Sequence, residues 1–196
     1  MKKVIVASQN KGKIKEVCDI LYKFGIEAVS RDDAGIPKFE IEETGETFEE
    51  NSYIKAKAIF DITKEMVIAD DSGLMVEALD GAPGVYSARF SGDAATYESN
   101  NKKLLKLMQG VKNRSAKFVS VITMIFDDET KIVARGEVKG NIAEKPSGGA
   151  GFGYDPIFVP NGYDITFAEM DKEQKNKISH RRRALEALEE KISEKD

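Results

Sequence analysis

The first thirty residues are the part of the sequence that most constrains the fold. The β-branched run KVIVAS is typical of a buried strand. The next stretch, KGKIKEVCDILYKFG, reaches Gly25, a common helix terminator, and places these residues at helical spacing: Ile14, Val17, Cys18, Leu21 and Tyr22. A second strand-like run, IEAVS, follows. Strand, helix and strand in this order predict a βαβ unit whose helix begins just after the first strand.

Further helix and strand patterns alternate along the rest of the chain. Thr47 and Glu50 form a capping-box pattern, which predicts that a helix opens at TFEENSYIKAKAIFDITK. We predict one strand at MVIAD, a separate strand at LMVEAL and a helix within AATYESNNKKLLKLMQG. AKFVSVITMIFDD and KIVARGEVKGNI flank the turn DETK and predict an antiparallel hairpin. A short apolar run, IFVP, and a closing helix within ISHRRRALEALEEKISEKD complete a mixed α/β fold.

Composition limits the class of protein. A chain of 196 residues is long enough for a sizeable core, and we predict a single domain over residues 1–196. The net charge of −4 argues against a protein that coats nucleic acid. Cys18 is the only cysteine, which excludes an internal disulfide and a cysteine-based zinc site. We expect a cytoplasmic protein, because no signal peptide and no membrane-spanning run is evident.

Two neighbouring aspartates, Asp70 and Asp71, follow the apolar run of MVIADDSGL. One interpretation is a turn, since Asp, Ser and Gly are common turn residues. The other is a metal-binding or catalytic carboxylate at the carboxyl end of a strand, where open α/β sheets place their sites. Either aspartate could hold Mg²⁺ together with Glu42 or Glu43, and a carboxylate beside that ion can deprotonate an attacking water.

A second candidate site is SQNKGK, residues 8–13, between the first predicted strand and helix. Free backbone N–H groups and the positive end of the helix dipole favour phosphate there. Ser8 and Asn10 add polar contacts and Lys13 adds a charge, although the segment lacks the P-loop pattern. The alternative is an ordinary helix cap with lysines that face solvent.

Two further stretches could recognise a base. In GGAGFGYDP, glycines permit close approach of a ligand, Phe152 or Tyr154 offers a flat face and Asp155 an acceptor. The alternative is a tight loop with an aromatic plug. In KNKISHRRRA, the only histidine, His180, precedes Arg181. Their N–H donors suit a purine with oxygen at position 6 and would reject adenine, although a structural histidine and a solvated arginine run are the alternative.

Taken together, these segments resemble the inosine triphosphate pyrophosphatase family, whose members act on deaminated purine nucleoside triphosphates. The motifs occur in the family's order and cover essentially the whole chain; each is short, but their combination is highly specific. They are SQNKGK, EETGETFEENSYIKA, ADDSGL, GAPGVYSARF, GFGYDPIF, FAEM and ISHRRRA.

The resemblance implies an elongated mixed β-sheet with flanking helices, two lobes around a central nucleotide-binding cleft, and a homodimer. It also implies that the enzyme hydrolyses ITP, dITP and XTP to a monophosphate and pyrophosphate, with Asp71 as the general base and Glu42 and Asp71 at Mg²⁺. Glu42 is preferred to Glu43 because it lies three residues before Gly45. The implied substrate contacts are Ser8, Gln9, Asn10, Lys11, Gly12, Lys13 and Lys175 with the phosphates, Ser72 beside the metal, Phe152, Gly153, Tyr154 and Asp155 around the base, and His180 and Arg181 at its 6-oxo group.

Two competing functions remain at this stage. One is a Maf-like pyrophosphatase that prefers modified pyrimidines, against which the loop order and the SHR segment argue. The other is a nucleotide-binding regulator without catalysis. The paired aspartates argue against a regulator, because carboxylates beside a phosphate ligand are unfavourable unless a cation joins them.

Overall fold

The computed structural model describes residues 2–23 and 25–194, which form six strands and five α-helices. In chain order they are β1 (Lys2–Val6), α1 (Lys11–Lys23), β2 (Ile26–Ser30), α2 (Phe48–Thr63), β3 (Val67–Val76), α3 (Tyr97–Leu107), β4 (Ser115–Ile125), β5 (Lys131–Ile142), β6 (Phe158–Pro160), α4 (Lys172–Ile178) and α5 (His180–Ser193). The predicted mixed α/β class is confirmed. No helix among these residues is long and apolar enough to cross a bilayer.

The strands form one mixed sheet in the order β2-β1-β3-β4-β5-β6. Strand β1 pairs in parallel with β2 and with β3, which confirms the predicted βαβ unit. Strands β4 and β5 are neighbours joined only by residues 126–130, a connection too short for a parallel pair, so the predicted antiparallel hairpin is also confirmed. Strand β6 pairs antiparallel with β5.

The helix boundaries follow from local capping. At the start of α2 the Thr47 hydroxyl accepts a bond from the Glu50 N–H, while the Glu50 carboxylate accepts from the Thr47 N–H, so the predicted capping box is confirmed. Helix α1 ends before Gly25, which takes a left-handed φ of +72°. Helix α4 is not predicted from the sequence, because its seven residues are too few for a periodic apolar pattern; Asp171 caps it.

The predicted break between MVIAD and LMVEAL is wrong. A single strand, β3, runs from Val67 to Val76, so Asp70 and Asp71 lie within a strand and not in a turn or at a strand end. Both are buried, and successive strand residues point to opposite faces. Asp, Ser and Gly have low strand propensity. The strand nevertheless continues through them, because the two carboxylates have partners elsewhere in the fold.

The chain divides into two compact units, each assembled from separate stretches. The first comprises Met1–Asp71, Ser120–Gly136 and Arg181–Asp196, and the second comprises Ser72–Val119 and Glu137–His180. Each unit has its own buried apolar core. In the first unit α1 and α5 pack on the sheet through Val17, Ile20, Leu185 and Leu188. In the second unit the core includes Leu104, Phe118, Phe158 and Phe167. The prediction of a single domain with two lobes stays a prediction.

Candidate active site

Residues 8–13 form the cap and first turn of α1 in the first unit. The Asn10 side-chain oxygen accepts a bond from the Lys13 N–H at 3.1 Å, and the Ser8 hydroxyl accepts from the Asn10 N–H at 3.2 Å. Asn10 is therefore the N-cap residue, and its backbone carbonyl accepts the first helical bond from Ile14. The remaining N–H groups of the first turn, together with the helix dipole, favour an anion at this end of α1.

A cavity of about 480 Å³ opens beside this segment and lies wholly within the first unit. Basic side chains outnumber acidic ones on its walls, which suits an anionic ligand. Its lining includes Ser8, Gln9, Lys11, Lys15, Arg31, Asp32, Asp33 and Lys38.

The second aspartate, Asp71, is paired with a lysine that the sequence analysis did not identify. The Lys55 ammonium donates to Asp71 Oδ1 at 2.8 Å and to Glu43 Oε2 at 3.2 Å. The other carboxylate oxygen, Asp71 Oδ2, is buried and accepts no hydrogen bond. Glu42, the residue preferred from the resemblance, is exposed, whereas Glu43 is the glutamate that the structure brings to Lys55.

Lys55 could have been found from the helical pattern of α2. The buried face of this helix carries Phe48, Ser52, Lys55, Ala56 and Ile59, which recur at spacings of three and four residues. A lysine on that face requires a buried acidic partner, because an isolated buried charge is costly.

Burial and the opposite charge of the partner shift the pKa values of Asp71 and Lys55 in opposite directions. Burial raises the pKa of the Asp71 carboxyl, and the Lys55 ammonium opposes the rise without cancelling it. Burial acts to lower the pKa of Lys55, but Asp71 and Glu43 outweigh it, so the pKa of Lys55 is raised. A carboxylate whose pKa is raised is a stronger base, and it is better suited to accept a proton from water.

The carboxylates can be tested against the requirements of Mg²⁺. Within the described part of the chain, no cluster of three or more His, Cys, Asp or Glu side chains could hold a metal ion by itself. Mg²⁺ in nucleotide enzymes is bound by one or two carboxylates, with waters and substrate phosphates completing the shell. The unpaired Asp71 Oδ2 and the nearby Glu43 carboxylate fit that partial set.

The residues predicted around the base are held together in the second unit. Asp155 Oδ2 accepts bonds from the Phe152 N–H at 2.8 Å and from the Lys175 ammonium at 2.7 Å. The same ammonium lies 4.8 Å from the centre of the Phe152 ring. Gly151 has a φ of +75°, and a side chain there would place its Cβ 2.1 Å from Asp155 Oδ2. The structure thus places Lys175 with the predicted base residues, and its predicted phosphate contact stays a prediction.

The neighbouring predicted residues have structural partners of their own. Tyr154 is buried, which raises its pKa, and its hydroxyl donates to the Ser87 carbonyl at 2.7 Å. The Gly153 carbonyl accepts from the Asn101 amide at 3.1 Å. His180 is buried and stacks on Phe118, with ring centres 4.8 Å apart and an interplanar angle of 11°. Protein contacts therefore hold loop 151–155 and the His180 ring.

Arg181 and Asp70 contact each other within the first unit. The Arg181 guanidinium is buried and donates to Asp70 and to Glu16. Its predicted contact with the 6-oxo group of a base stays a prediction, as does the role of Ser72, which is half-buried at the start of the second unit.

Solved structures of similar proteins define the class to which this architecture belongs. The structure of the Staphylococcus aureus Ham1 protein matches with a TM-score of 0.87 and 42% identity over 100% of both chains. A nucleoside-triphosphatase described as dITP/XTP pyrophosphatase from Mycobacterium abscessus matches with a TM-score of 0.75 and 43% identity, over 95% of this chain and 98% of that one.

Sequence comparison leads to the same group. The model of the Ham1 family matches residues 4–191, and the chain therefore belongs to the Ham1 family. The dITP/XTP pyrophosphatase of Oceanobacillus iheyensis is 48% identical over 96% of this chain and 97% of its own length. That of Aquifex aeolicus is 47% identical over 95% of this chain and 94% of its own length.

Proposed function

We propose that this protein hydrolyses the non-standard purine nucleoside triphosphates ITP, dITP and XTP to the nucleoside monophosphate and pyrophosphate. The observation that carries the proposal is its near-50% identity, over essentially the full length of both chains, to proteins named dITP/XTP pyrophosphatase. In a cell, this reaction would remove deaminated purines from the nucleotide pool.

The triphosphate is assigned to the first unit. The N-terminal turn of α1 offers backbone N–H groups, the hydroxyl of Ser8 and the ammonium group of Lys11 beside a cavity of about 480 Å³. Lys13 adds a second ammonium group in the same turn. Gln9, Asn10 and Gly12 complete this segment. The preference for basic groups around the cavity supports the assignment, because a triphosphate brings several negative charges that must be neutralised.

The chemical step follows from the placement of Asp71. Its carboxylate accepts a proton from water as the water oxygen forms a bond to the α-phosphorus. The bond between the α-phosphorus and the bridging oxygen to the β-phosphate breaks, and the electron pair leaves with pyrophosphate. Lys13 stabilises the charge that develops on the leaving group. Lys55 holds the Asp71 carboxylate in place through the 2.8 Å bond to Oδ1, which leaves Oδ2 available for the reaction.

Magnesium is part of the proposal. Asp71 with Glu43 or Glu42 would hold Mg²⁺, which would offset phosphate charge and orient the α-phosphate. Two observations support this proposal. The buried Oδ2 of Asp71 accepts no hydrogen bond, and Glu43 accepts a hydrogen bond from Lys55, the same lysine that contacts Asp71.

The base is assigned to the second unit, where Phe152 supplies a ring for stacking and Gly153, Tyr154 and Asp155 shape the surroundings. His180, stacked on Phe118, would donate to the 6-oxo group. Adenine carries an amino donor at that position, and a buried donor facing it would lose its hydrogen bond. The expected preference is therefore for 6-oxopurines over adenine, and discrimination against guanine, also a 6-oxopurine, is what the resemblance to the family implies.

The decisive experiment is product analysis with purified protein, Mg²⁺ and the five substrates ITP, dITP, XTP, GTP and ATP. We expect monophosphate and pyrophosphate from the first three, little turnover of GTP and ATP, and loss of activity in EDTA. Release of orthophosphate, equal turnover of all bases or a preference for modified pyrimidines would contradict the proposal. Tight triphosphate binding without hydrolysis would instead indicate a regulator.

The choice between Glu42 and Glu43 is tested by two matched variants. Because Glu43 contacts Lys55 and Glu42 is exposed, we expect Glu43→Gln to lower kcat/KM about 10-fold or more and to raise the Mg²⁺ concentration needed for half-maximal rate. Glu42→Gln, the same change one residue away, serves as the control with a near-normal Mg²⁺ requirement. The opposite ranking in a Mg²⁺ titration would assign the metal to Glu42.

We also propose, from the resemblance alone, a cytoplasmic homodimer. The solution mass of the purified chain, measured by light scattering, tests the dimer against a monomer of 21.7 kDa.

A further inference from the structure

Of the two neighbouring aspartates in β3, Asp70 has no role in the proposed chemistry. Its contacts differ completely from those of Asp71. Oδ1 accepts a hydrogen bond from the Ser120 hydroxyl, and Oδ2 accepts from Arg181 Nη2 at 3.2 Å and Nε at 3.4 Å. Asp71 has one oxygen unbonded, whereas both oxygens of Asp70 are engaged by protein donors.

The second cationic partner of Asp70 is Lys13, from the first turn of α1. Its ammonium lies 3.3 Å from Asp70 Oδ2, and the Lys13 side chain is only 17% exposed. Lys13 is one of the residues assigned to the substrate phosphates. Its long side chain has many rotamers in solution, and an ordered ion partner removes that freedom before substrate arrives.

Arg181 in turn anchors Asp70. It is 1% exposed and lies between two carboxylates, donating through Nη1 to Glu16 and through Nη2 and Nε to Asp70. Asp70 and Glu16 carry two negative charges and Arg181 and Lys13 two positive charges, so the cluster is electrically neutral. Burial acts to raise the pKa of the Asp70 carboxyl, but Arg181 and Lys13 outweigh it and hold that pKa well below its ordinary range.

We propose that Asp70 is a positioning residue, which holds the Lys13 ammonium where it meets the substrate phosphates, and that Arg181 and Glu16 fix the Asp70 carboxylate for this task. The inference rests on the proposed function, because it takes Lys13 as a phosphate ligand. The two neighbouring aspartates then have different roles. Asp71 accepts the proton from water and would bind Mg²⁺, and Asp70 positions the Lys13 ammonium.

The test is a double-mutant cycle on kcat/KM for dITP, with the wild-type protein and the variants Asp70→Asn, Lys13→Met and Asp70→Asn with Lys13→Met. We expect Lys13→Met to lower kcat/KM about 100-fold and Asp70→Asn about 10-fold. The double variant should be no worse than Lys13→Met alone, because Asp70 has nothing left to position. The midpoint of thermal unfolding should fall when Asp70 is replaced in either background, because Arg181 loses one of its two carboxylate partners in both.

The inference would be overturned if Asp70→Asn lowered kcat/KM by the same factor with and without Lys13. That result would show that Asp70 does not act through that lysine. Full activity of Lys13→Met would also overturn it, and pyrophosphate release by the wild-type protein distinguishes that result from failure of the proposed function. The matched control is Asp61→Asn, which removes an exposed aspartate paired with Lys57 and should leave kcat/KM unchanged.

A second variant guards against misfolding of Asp70→Asn. Asp70→Glu keeps the negative charge that Arg181 requires and moves the carboxylate by one methylene. It should lower kcat/KM when Lys13 is present and leave it unchanged in the Lys13→Met background. Equal factors in the two backgrounds would overturn the inference in the same way.

Discussion

Replacing Asp71 by Asn should reduce kcat for dITP by about 1,000-fold or more while the protein remains folded. The amide cannot accept a proton from water at neutral pH, and it is a poorer ligand for Mg²⁺ than a carboxylate. Lys55 keeps Glu43 as a counter-ion at 3.2 Å, so the variant does not leave that ammonium without an acidic partner. Pyrophosphate release measures the activity, and thermal unfolding measures the fold.

Asp61→Asn is the control for this experiment, because it makes the same chemical change on the exposed surface of α2. We expect it to retain wild-type kcat and an unchanged unfolding midpoint. A variant of Asp71 with more than a tenth of wild-type kcat would remove this residue from the role of general base. A large drop in the unfolding midpoint would indicate that Asp71 serves mainly to compensate Lys55.

Local patterns predicted most elements of the fold, for physical reasons that lie within a few residues. The capping box of Thr47 and Glu50 and the left-handed Gly25 are formed by contacts between near neighbours, and both appear as expected. Strand β5 was predicted with the bounds that the structure has, Lys131–Ile142, because apolar and polar residues alternate along it. Helix α4 was missed because its seven residues carry no repeating apolar face.

The candidate site was less predictable, because its charges are compensated over long distances in sequence. Arg181 lies 111 residues from Asp70 and 165 residues from Glu16, and no local pattern links them. When those distant partners are not known, two adjacent aspartates predict a turn or the end of a strand. In the structure they lie in the middle of β3. Lys55, 16 residues from Asp71, was missed although its place on the buried face of α2 was visible in the sequence.

A common principle explains these errors. Three buried pairs place opposite charges within 3.5 Å of each other: Lys55–Asp71, Arg181–Asp70 and Lys175–Asp155. Such pairs contribute little net stability compared with apolar residues, but removal of one partner is costly. They are therefore maintained where their charges are needed, which makes a buried charge a more useful indicator of a site than an exposed one.

The second large effect is expected for Lys175→Met in the second unit. The variant leaves the Asp155 carboxylate, 4% exposed, without the ammonium at 2.7 Å, which should lower the free energy of unfolding by about 3–5 kcal/mol. For a chain of this size each kcal/mol corresponds to about 2–4 °C in the unfolding midpoint. The loss of the cation beneath Phe152 should also loosen loop 151–155 and raise KM for dITP.

Lys177→Met is the matched control on the same helix. Its ammonium pairs with Glu173 at 3.1 Å, but both side chains are about two-thirds or more exposed, so the free energy of unfolding should change by less than about 1 kcal/mol. The double variant Lys175→Met with Asp155→Asn removes both buried charges and should recover much of the lost stability, because the asparagine oxygen can still accept the Phe152 N–H. Equal destabilisation by Lys175→Met and Lys177→Met in a denaturant titration would contradict a buried pair. Failure of the double variant to recover would show that Lys175 stabilises the loop by packing rather than by charge.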